Sequence, residues 1–557
     1  MTQSSPFITS SNTILWLKVM LTAAALVLLY LRFRAAKKPG ASAKVYSLRT
    51  KVIVGAAVVF SFAVFHDLGT FRGGTFLHYG ELFHYYLGPK YFKELGHYEL
   101  YNAVIVADSE QGNALAKQPF YTDLKTYKNA RREAALGDAA RIKSLFSEER
   151  WNAFKGDVAF FKEATMTTHT PGLIFLLMDH GYNASPVSTC MLGVLTNWVP
   201  VTHMGVLAAI DVLLVLTMIA LVFRTFGFEM GSLFSVYFFV SILSGHEYLS
   251  GSLLRYDWLL YIVAAVCLLD RRRYAAAAFF LTLSAMLRIF PAVLFFGVVV
   301  SIVQKVRAAR SLDKSSLRFI VSAGATALAL LVLPAASLGS VVQPWKDFYA
   351  KTALHDSGVY VNHLGLRGMV LFEPSHLSLE RFVQTYRSAD LVRRWQDVKE
   401  HELRGKRPVI ILATLFVLAC VAAIIWSRRE SESEAVLWPL LVVYTTSYLS
   451  TYYYVFLCLF VLLFFRKTHA QSGFVPLCLL LVLNLAALVT DYFKPSQIVF
   501  FTLINIYLFI CLSSILGFEL YTNLFRSSPL EMVAAEASPK ASRGPGRNRR
   551  QTRSRGK

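Results

Sequence analysis

Glu81 and His84 are the residues in this chain whose types and spacing first point to chemistry. They stand in HYGELFHYYLGPKYFKELGHYELY, residues 78–101, a stretch that carries six tyrosines and follows an apolar run by about a dozen residues. On a helix, Glu81, His84, Tyr85 and Gly88 share one face at spacings of three, four and seven, and Phe83, Tyr86 and Leu87 form another. Gly88-Pro89 predicts the end of that helix. A carboxylate at or just below a membrane surface is costly unless it is paired or used. With a histidine one turn away, Glu81 has the chemistry of a general base for a hydroxyl substrate arriving from outside. Asp67, in FHDLGTF, is its rival for that role. The structural alternative is an interfacial helix whose tyrosines settle with rings in lipid and hydroxyls in water.

The elements that must position these residues are membrane helices. The chain has 557 residues, 55% hydrophobic and 17% charged, with mean hydropathy +0.46, whereas soluble proteins average about 25% charged. Apolar runs such as ILWLKVMLTAAALVLLYL at 14–31 and VPLCLLLVLNLAALVTDYF at 475–493 have spanning length. They lack the alternating polarity of barrel strands, so the expected fold class is all-α and polytopic. The first run has no basic residue before it and no small-residue cleavage site after it, which predicts a retained anchor rather than a signal peptide. The six cysteines lie mostly inside apolar runs without CxxC spacing and read as small buried residues.

A net charge of +22 would fit nucleic acid only if it were gathered on one soluble surface. Instead it lies in short loops between apolar runs and in the tail SPKASRGPGRNRRQTRSRGK, with eight basic residues and no acid. That pattern reports topology and contact with anionic lipids, not nucleic-acid binding. The basic segment 32–51 is expected on the cytoplasmic side, as are Arg271-Arg272-Arg273, Lys305 to Arg318, Arg428-Arg429 and Arg466-Lys467. About thirteen spans follow, near 13–31, 52–66, 201–223, 229–245, 256–270, 274–288, 291–307, 318–337, 408–427, 434–450, 452–466, 474–492 and 497–519. Residues 172–200, interrupted by Pro186 and closed by Pro200, read as a re-entrant or interfacial helix. Two large loops, 66–171 and 338–407, face outward, and loops of that length usually carry function. The expected units are an N-terminal anchor with its basic loop (1–51), a transmembrane catalytic domain (52–520) and a basic disordered cytoplasmic tail (521–557).

No cofactor is expected. His169, His246 and Glu247 lack HxxxH or HExxH spacing, so no metal site is predicted. No GxGxxG, Walker or nucleophile-elbow pattern occurs, which argues against nucleotide-sugar chemistry and ATP-driven transport. The run TTSYLSTYYYVF at 445–456 fits either an aromatic belt or a surface for stacking sugar or lipid.

The residues also carry a resemblance. GELFHYYLGPKYFKELGHYELYN resembles the first outer loop of GT-C glycosyltransferases of the polyprenyl-phosphate-mannose type, the group containing the bacterial α-mannosyltransferases of glycosyltransferase family 87. The matching positions are Glu81, Tyr85-Tyr86, Gly88, Gly96 and Leu100-Tyr101. HTPGLIFLL, opening at His169, is similar to that family's proline motif, and SGHEYL, with Glu247, to its Gly-polar-polar segment. Arg288, Phe290 and Pro291 look like its basic-x-aromatic-Pro element. The stretch from Trp345 through VNHLGLRGMV resembles its Trp-containing outer loop, with His363 in place of the usual Gln and Leu364 in place of Ser. The resemblance covers roughly residues 53 to 466. The chain departs from it in using Glu rather than Asp, in its additional N-terminal span and in its expanded 102–168 segment.

The resemblance implies a GT-C-like membrane enzyme of the bacterial inner membrane, its site facing the periplasm. It would transfer a hexose, mannose first, from a polyprenyl-phosphate sugar to a glycan, glycolipid or protein acceptor. Because the phosphate leaves without prior protonation, one base suffices, whereas a glycoside hydrolase needs a second acid. Glu81, then Asp67, are the expected bases, with His84 assisting. Tyr85, Tyr86, His169, Glu247 and Asn362 are expected to line the substrate, while Arg255, Arg288, His363 and Arg367 supply partners for phosphate. The alternatives are a glycan polymerase or ligase using a lipid-diphosphate donor, kept open by the arginines of the 338–407 loop, and a transporter or flippase. The latter would show repeat symmetry and midplane charges, which the sequence does not.

Overall fold

A computed structural model describes residues 11–37, 47–71, 75–167, 173–244, 250–372, 389–428, 431–493 and 497–525. The all-α expectation holds. The main helices are α1 (Ser11–Ala36), α2 (Leu48–Phe65), α3 (Tyr79–Lys90), α4 (Leu100–Ser109), α5 (Glu148–Thr167), α6 (Pro186–Trp198), α7 (Met204–Phe226), α8 (Phe228–Val240) and α9 (Asp257–Asp270). They continue with α10 (Tyr274–Leu287), α11 (Leu294–Ala309), α12 (Lys314–Leu338), α13 (Gln343–Ser357), α14 (Ala389–Arg428), α15 (Leu440–Thr446), α16 (Leu459–Phe464), α17 (Gln471–Tyr492) and α18 (Gln497–Phe525). Among the described residues the strands form two short antiparallel pairs. β1 (Phe120–Thr122) lies against β2 (Asn129–Arg131), and β3 (His363–Leu364) against β4 (Leu449–Ser450) with His363 opposite Ser450.

Eight helices among the described residues are long and apolar enough to cross a membrane: Asn12–Ala36, Leu48–Phe65, Val201–Phe226, Phe290–Ala309, Lys314–Leu338, Val398–Arg428, Gln471–Tyr492 and Val499–Asn523. The expected count of about thirteen is not confirmed. Of the other five, α8, α9 and α10 have 13 or 14 residues, which at 1.5 Å per residue reach about 20 Å against a hydrocarbon core of about 30 Å. The runs at 434–450 and 452–466 break into α15, β4, the 3-10 helix Thr451–Cys458 and α16. Their side chains explain the difference: Trp438, Phe456, Phe460 and Phe464 are fully covered by protein. An apolar run buried in a bundle and one facing lipid look alike in sequence. Gly297 permits one of these close approaches, since a Cβ there would collide with the Ala435 carbonyl.

The N-terminal helix is built into the bundle. α1 packs on α17 and α8, Phe33 stacks on Phe474 at 4.2 Å, and Asn484 donates to Thr22 Oγ1 at 3.0 Å. The basic loops meet at the end of the bundle away from α3. There Arg466 pairs with Asp270 at 2.7 Å, Lys467 with Glu434 at 3.5 Å, and Lys305 with Glu432.

At the other end, residues 75–167 and 173–200 form a small helical domain with its own core of Leu82, Phe83, Tyr86, Tyr91, Tyr101, Phe154, Phe161 and Tyr182. The alternative reading of α3 as an interfacial helix with its rings in lipid gives way to burial against protein. Tyr86 and Tyr91 are fully covered, and Tyr101 is nearly so. α3 also continues through Gly88-Pro89 to Lys90 rather than ending there. Pro186 opens α6 instead of interrupting it, with Ser185 capping the helix. The loop expected at 338–407 is partly helix: α13 spans Gln343–Ser357, and α14 begins at Ala389 and runs through Pro408 into its span. The expected tail begins inside α18; residues 526–557 lie outside the described residues.

A candidate carboxylate and arginine site

The site is assembled where the chain entering α3 meets the chain entering α9. His78 caps α3, its Nδ1 accepting the Glu81 N–H at 3.1 Å, so Glu81 sits in the first turn, where the helix N-terminus favours an anion. His78 N–H in turn donates to the Gly251 carbonyl at 3.1 Å. Gly251 has φ +73°, and a Cβ there would collide with the Phe76 carbonyl. Only glycine allows the two strands of chain to run so close, and that contact brings Arg255 to Glu81.

Arg255 Nη2 lies 3.4 Å from Glu81 Oε2, with the arginine side chain 2% exposed and the glutamate 23%. The guanidinium is held by rings more than by hydrogen bonds. Its carbon sits 4.1 Å from the Tyr85 ring centre and 5.4 Å from that of Tyr452. Buried Nη1 of Arg255 and Oε2 of Glu81 have no hydrogen-bond partner among the described residues. A cation sandwiched on aromatic faces keeps its charge but leaves its N–H groups free to donate.

Two further acids set this geometry. Asp211, buried in the third turn of α7, accepts the Arg255 N–H on Oδ1 at 2.9 Å and Oδ2 at 3.0 Å, and the Tyr256 N–H at 3.3 Å. It fixes the turn from which Arg255 projects. Asp257, the first residue of α9, accepts the Trp258 N–H on Oδ1 at 2.8 Å. Ser284 donates to the Trp258 carbonyl at 2.8 Å, which sets α10 against α9 and delivers Arg288, one turn past Ser284, to the same place. Arg288 is buried, donates from Nη1 to the Leu287 carbonyl at 3.1 Å, and leaves Nε without a partner. It lies within electrostatic reach of Asp257, Tyr85, Tyr453 and Arg255. Sequence reasoning missed Asp211 and Asp257. The available signal was a lone acid inside the apolar run MGVLAAIDVLLVL, and an acid opening one in YDWLL.

The site therefore gathers Glu81, Tyr85, Arg255 and Arg288 among the expected residues. His84 turns the other way, its Nε2 2.8 Å from the Tyr101 hydroxyl in the domain core. Tyr86 is a structural residue: its hydroxyl donates to the Val199 carbonyl at 2.8 Å and receives Lys90 Nζ at 3.0 Å. Asp67 occupies a turn after α2 with φ +52° and is half-buried. His169 and Glu247 lie outside the described residues.

Asn362, His363 and Arg367 belong to a second cluster. No hydrogen bond, ion pair or ring contact joins them to Glu81, Arg255 or Arg288 among the described residues. Arg367 binds Asp356 at 2.7 Å, His363 Nε2 meets Ser450 Oγ at 3.2 Å, and the Asn362 carbonyl accepts the Thr451 N–H at 2.9 Å. Rings of His180, His355, Tyr360, His363 and Tyr448 pack here with centres 4.7–5.5 Å apart. Burial pushes His355 down to about 3, with His180 adding to the effect, and lowers His363 as well. Both stay neutral. Nearby, Lys351 of α13 is buried against the small domain, donating to the carbonyls of Leu124 at 2.9 Å and His97 at 3.3 Å. Desolvation lowers its pKa to about 7, opposed by Asp123 and Asp179.

Among the described residues no group of three or more His, Cys, Asp or Glu side chains is arranged to hold a metal ion. No family model, curated protein or solved structure matches this chain.

Proposed function

We propose that this chain is a GT-C-type membrane glycosyltransferase that moves a hexose, mannose first, from a polyprenyl-phosphate sugar to a hydroxyl of a glycan, glycolipid or protein. The observation that carries the reading is the Glu81 carboxylate set 3.4 Å from a buried arginine whose N–H groups are not consumed by hydrogen bonds. A base and a phosphate clamp need to be neighbours for this chemistry. The acceptor hydroxyl gives its proton to Glu81 as its oxygen bonds to the anomeric carbon. The bond from that carbon to the phosphate oxygen breaks with inversion, and the electron pair leaves with polyprenyl phosphate. Arg255 and Arg288 offset the charge that develops there, in a place from which water is largely excluded. Tyr85 and Tyr452 hold Arg255 in place between their rings.

The long apolar helices fit a membrane protein by composition and length. We place the small domain on the outer side because the basic loops lie at the opposite end of the bundle, and we take the periplasm of a bacterial inner membrane as the setting because the family 87 resemblance implies it. Transfer from a labelled polyprenyl-phosphate hexose by purified protein tests the reading. Wild type should transfer, Glu81→Gln should not, and Asp67→Asn should retain most activity. Full activity of Glu81→Gln would remove Glu81 as base, and no transfer by wild type from any such donor would remove the enzyme reading.

A further inference from the structure

We propose that Asp257 Oδ2 anchors the sugar of the donor, accepting a hydrogen bond from one of its hydroxyls. This rests on the glycosyltransferase reading and deepens it. Asp257 has no exposed surface. Its Oδ1 is satisfied by the Trp258 N–H at 2.8 Å, yet Oδ2, equally buried, has no hydrogen-bond partner among the described residues. Leaving such an oxygen bare is costly, so a carboxylate kept in this state is one that expects a donor.

The neighbours decide which donor. Asp257 lies within electrostatic reach of Arg288 and Arg255, and each arginine carries its own buried, unpartnered N–H group, Nε of Arg288 and Nη1 of Arg255. A phosphate complements those N–H groups and is repelled by the Asp257 carboxylate. A polyprenyl chain has no hydrogen-bond donor at all. In a polyprenyl-phosphate sugar only the sugar hydroxyls can donate, and the sugar is bonded directly to the phosphate. With phosphate at the arginines, a sugar hydroxyl is the group that complements Oδ2. Glu81 is then left for the acceptor, so the two acids divide the work: Asp257 selects the donor sugar and Glu81 activates the incoming hydroxyl.

The test is a deoxygenation scan on the full-length protein in lipid nanodiscs, comparing kcat/KM for a polyprenyl-phosphate hexose and its singly deoxygenated analogues with wild type and Asp257→Asn. Wild type should lose about 10- to 100-fold for one deoxy position, the scale of a hydrogen bond to a charged group. Asp257→Asn should lose a similar factor with the parent sugar and be indifferent to that deoxygenation. Equal losses for Asp257→Asn across all donors would mean that Asp257 merely supports α9, and would overturn the inference. Should Asp257→Asn fail to fold, the wild-type scan still decides: no single deoxygenation costing more than about threefold would sink the proposal. Failure of wild type with every donor is a different result, because it removes the glycosyltransferase reading itself.

Discussion

Two regions of this molecule bury carboxylates and treat them oppositely. In the small domain, Asp157 takes Lys90 Nζ at 2.7 Å and the Tyr91 hydroxyl at 2.7 Å. Asp108 takes the N–H groups of Leu115 at 2.8 Å and Ala114 at 3.2 Å together with Lys162 at 3.2 Å. At the candidate site, among the described residues, Glu81 makes a loose contact with Arg255 at 3.4 Å, and one oxygen of Asp257 has no hydrogen bond. In our proposal the difference separates acids that hold the fold from acids that meet a substrate, with Asp211, saturated by backbone N–H groups, on the structural side although it borders the site. A buried charge saturated by its own chain offers nothing to a substrate, and an unsaturated one is tolerated where a bound group completes it.

The sharpest test of that division exchanges activity for stability. Glu81→Gln should lower transfer by about 10²- to 10⁴-fold, the range of general-base catalysis, while thermal unfolding followed by fluorescence stays close to wild type. Asp157→Asn should do the reverse, costing about 3–5 kcal/mol because Lys90 is left buried without its anion, with kcat per folded molecule unchanged in a combined denaturation and activity assay. If Asp157→Asn lost turnover without losing stability, the comparison would fail.

A smaller effect comes from Lys351. Burial holds it at about 7 against 10.5 for the free side chain, so the unfolded chain binds the extra proton between those values. Docking of α13 should therefore strengthen as pH rises from about 7 towards 10.5, and carry its full penalty below 7. The Leu124 and His97 carbonyls suit a neutral amine, which has two N–H groups to give. Urea denaturation at pH 6.5 and 9 should show that slope in wild type and not in Lys351→Met; equal slopes would mean the burial is not felt. Smaller again is Gly88→Ala. A Cβ there would lie 2.5 Å from Tyr182 Cγ, and overpacking of this kind costs about 1–3 kcal/mol, readable as a lower midpoint with transfer intact in the folded fraction.

Much of the candidate site was legible because its signals are local. Glu81 stood out as an acid among aromatics, Tyr85 by its helical spacing from Glu81, and Arg255 and Arg288 as cations beside apolar runs. His84 and Tyr86 shared those signals and proved to be core residues, since a helix covered by protein on nearly all sides gives no periodic clue to which side meets Arg255. Asp211 acts through space on a backbone 44 residues away, a separation that no local pattern encodes. The same limit explains the spans: Trp438 and Phe460 are as apolar as any lipid-facing side chain.

Sequence by itself determined that the chain is helical, that several of its runs are long and apolar enough to cross a membrane, and that its basic loops alternate with apolar runs, because composition and hydropathy act on each segment separately. Tertiary structure alone decided which apolar runs are short and interior, which face of α3 meets Arg255, and which acids remain unsaturated. Those outcomes depend on contacts between segments distant in the chain, such as Gly251 against Phe76 and Asp211 against Arg255. Hydrogen-bond satisfaction, the property that divides Glu81 and Asp257 from Asp108 and Asp157, belongs to the packed molecule and to no single segment of it.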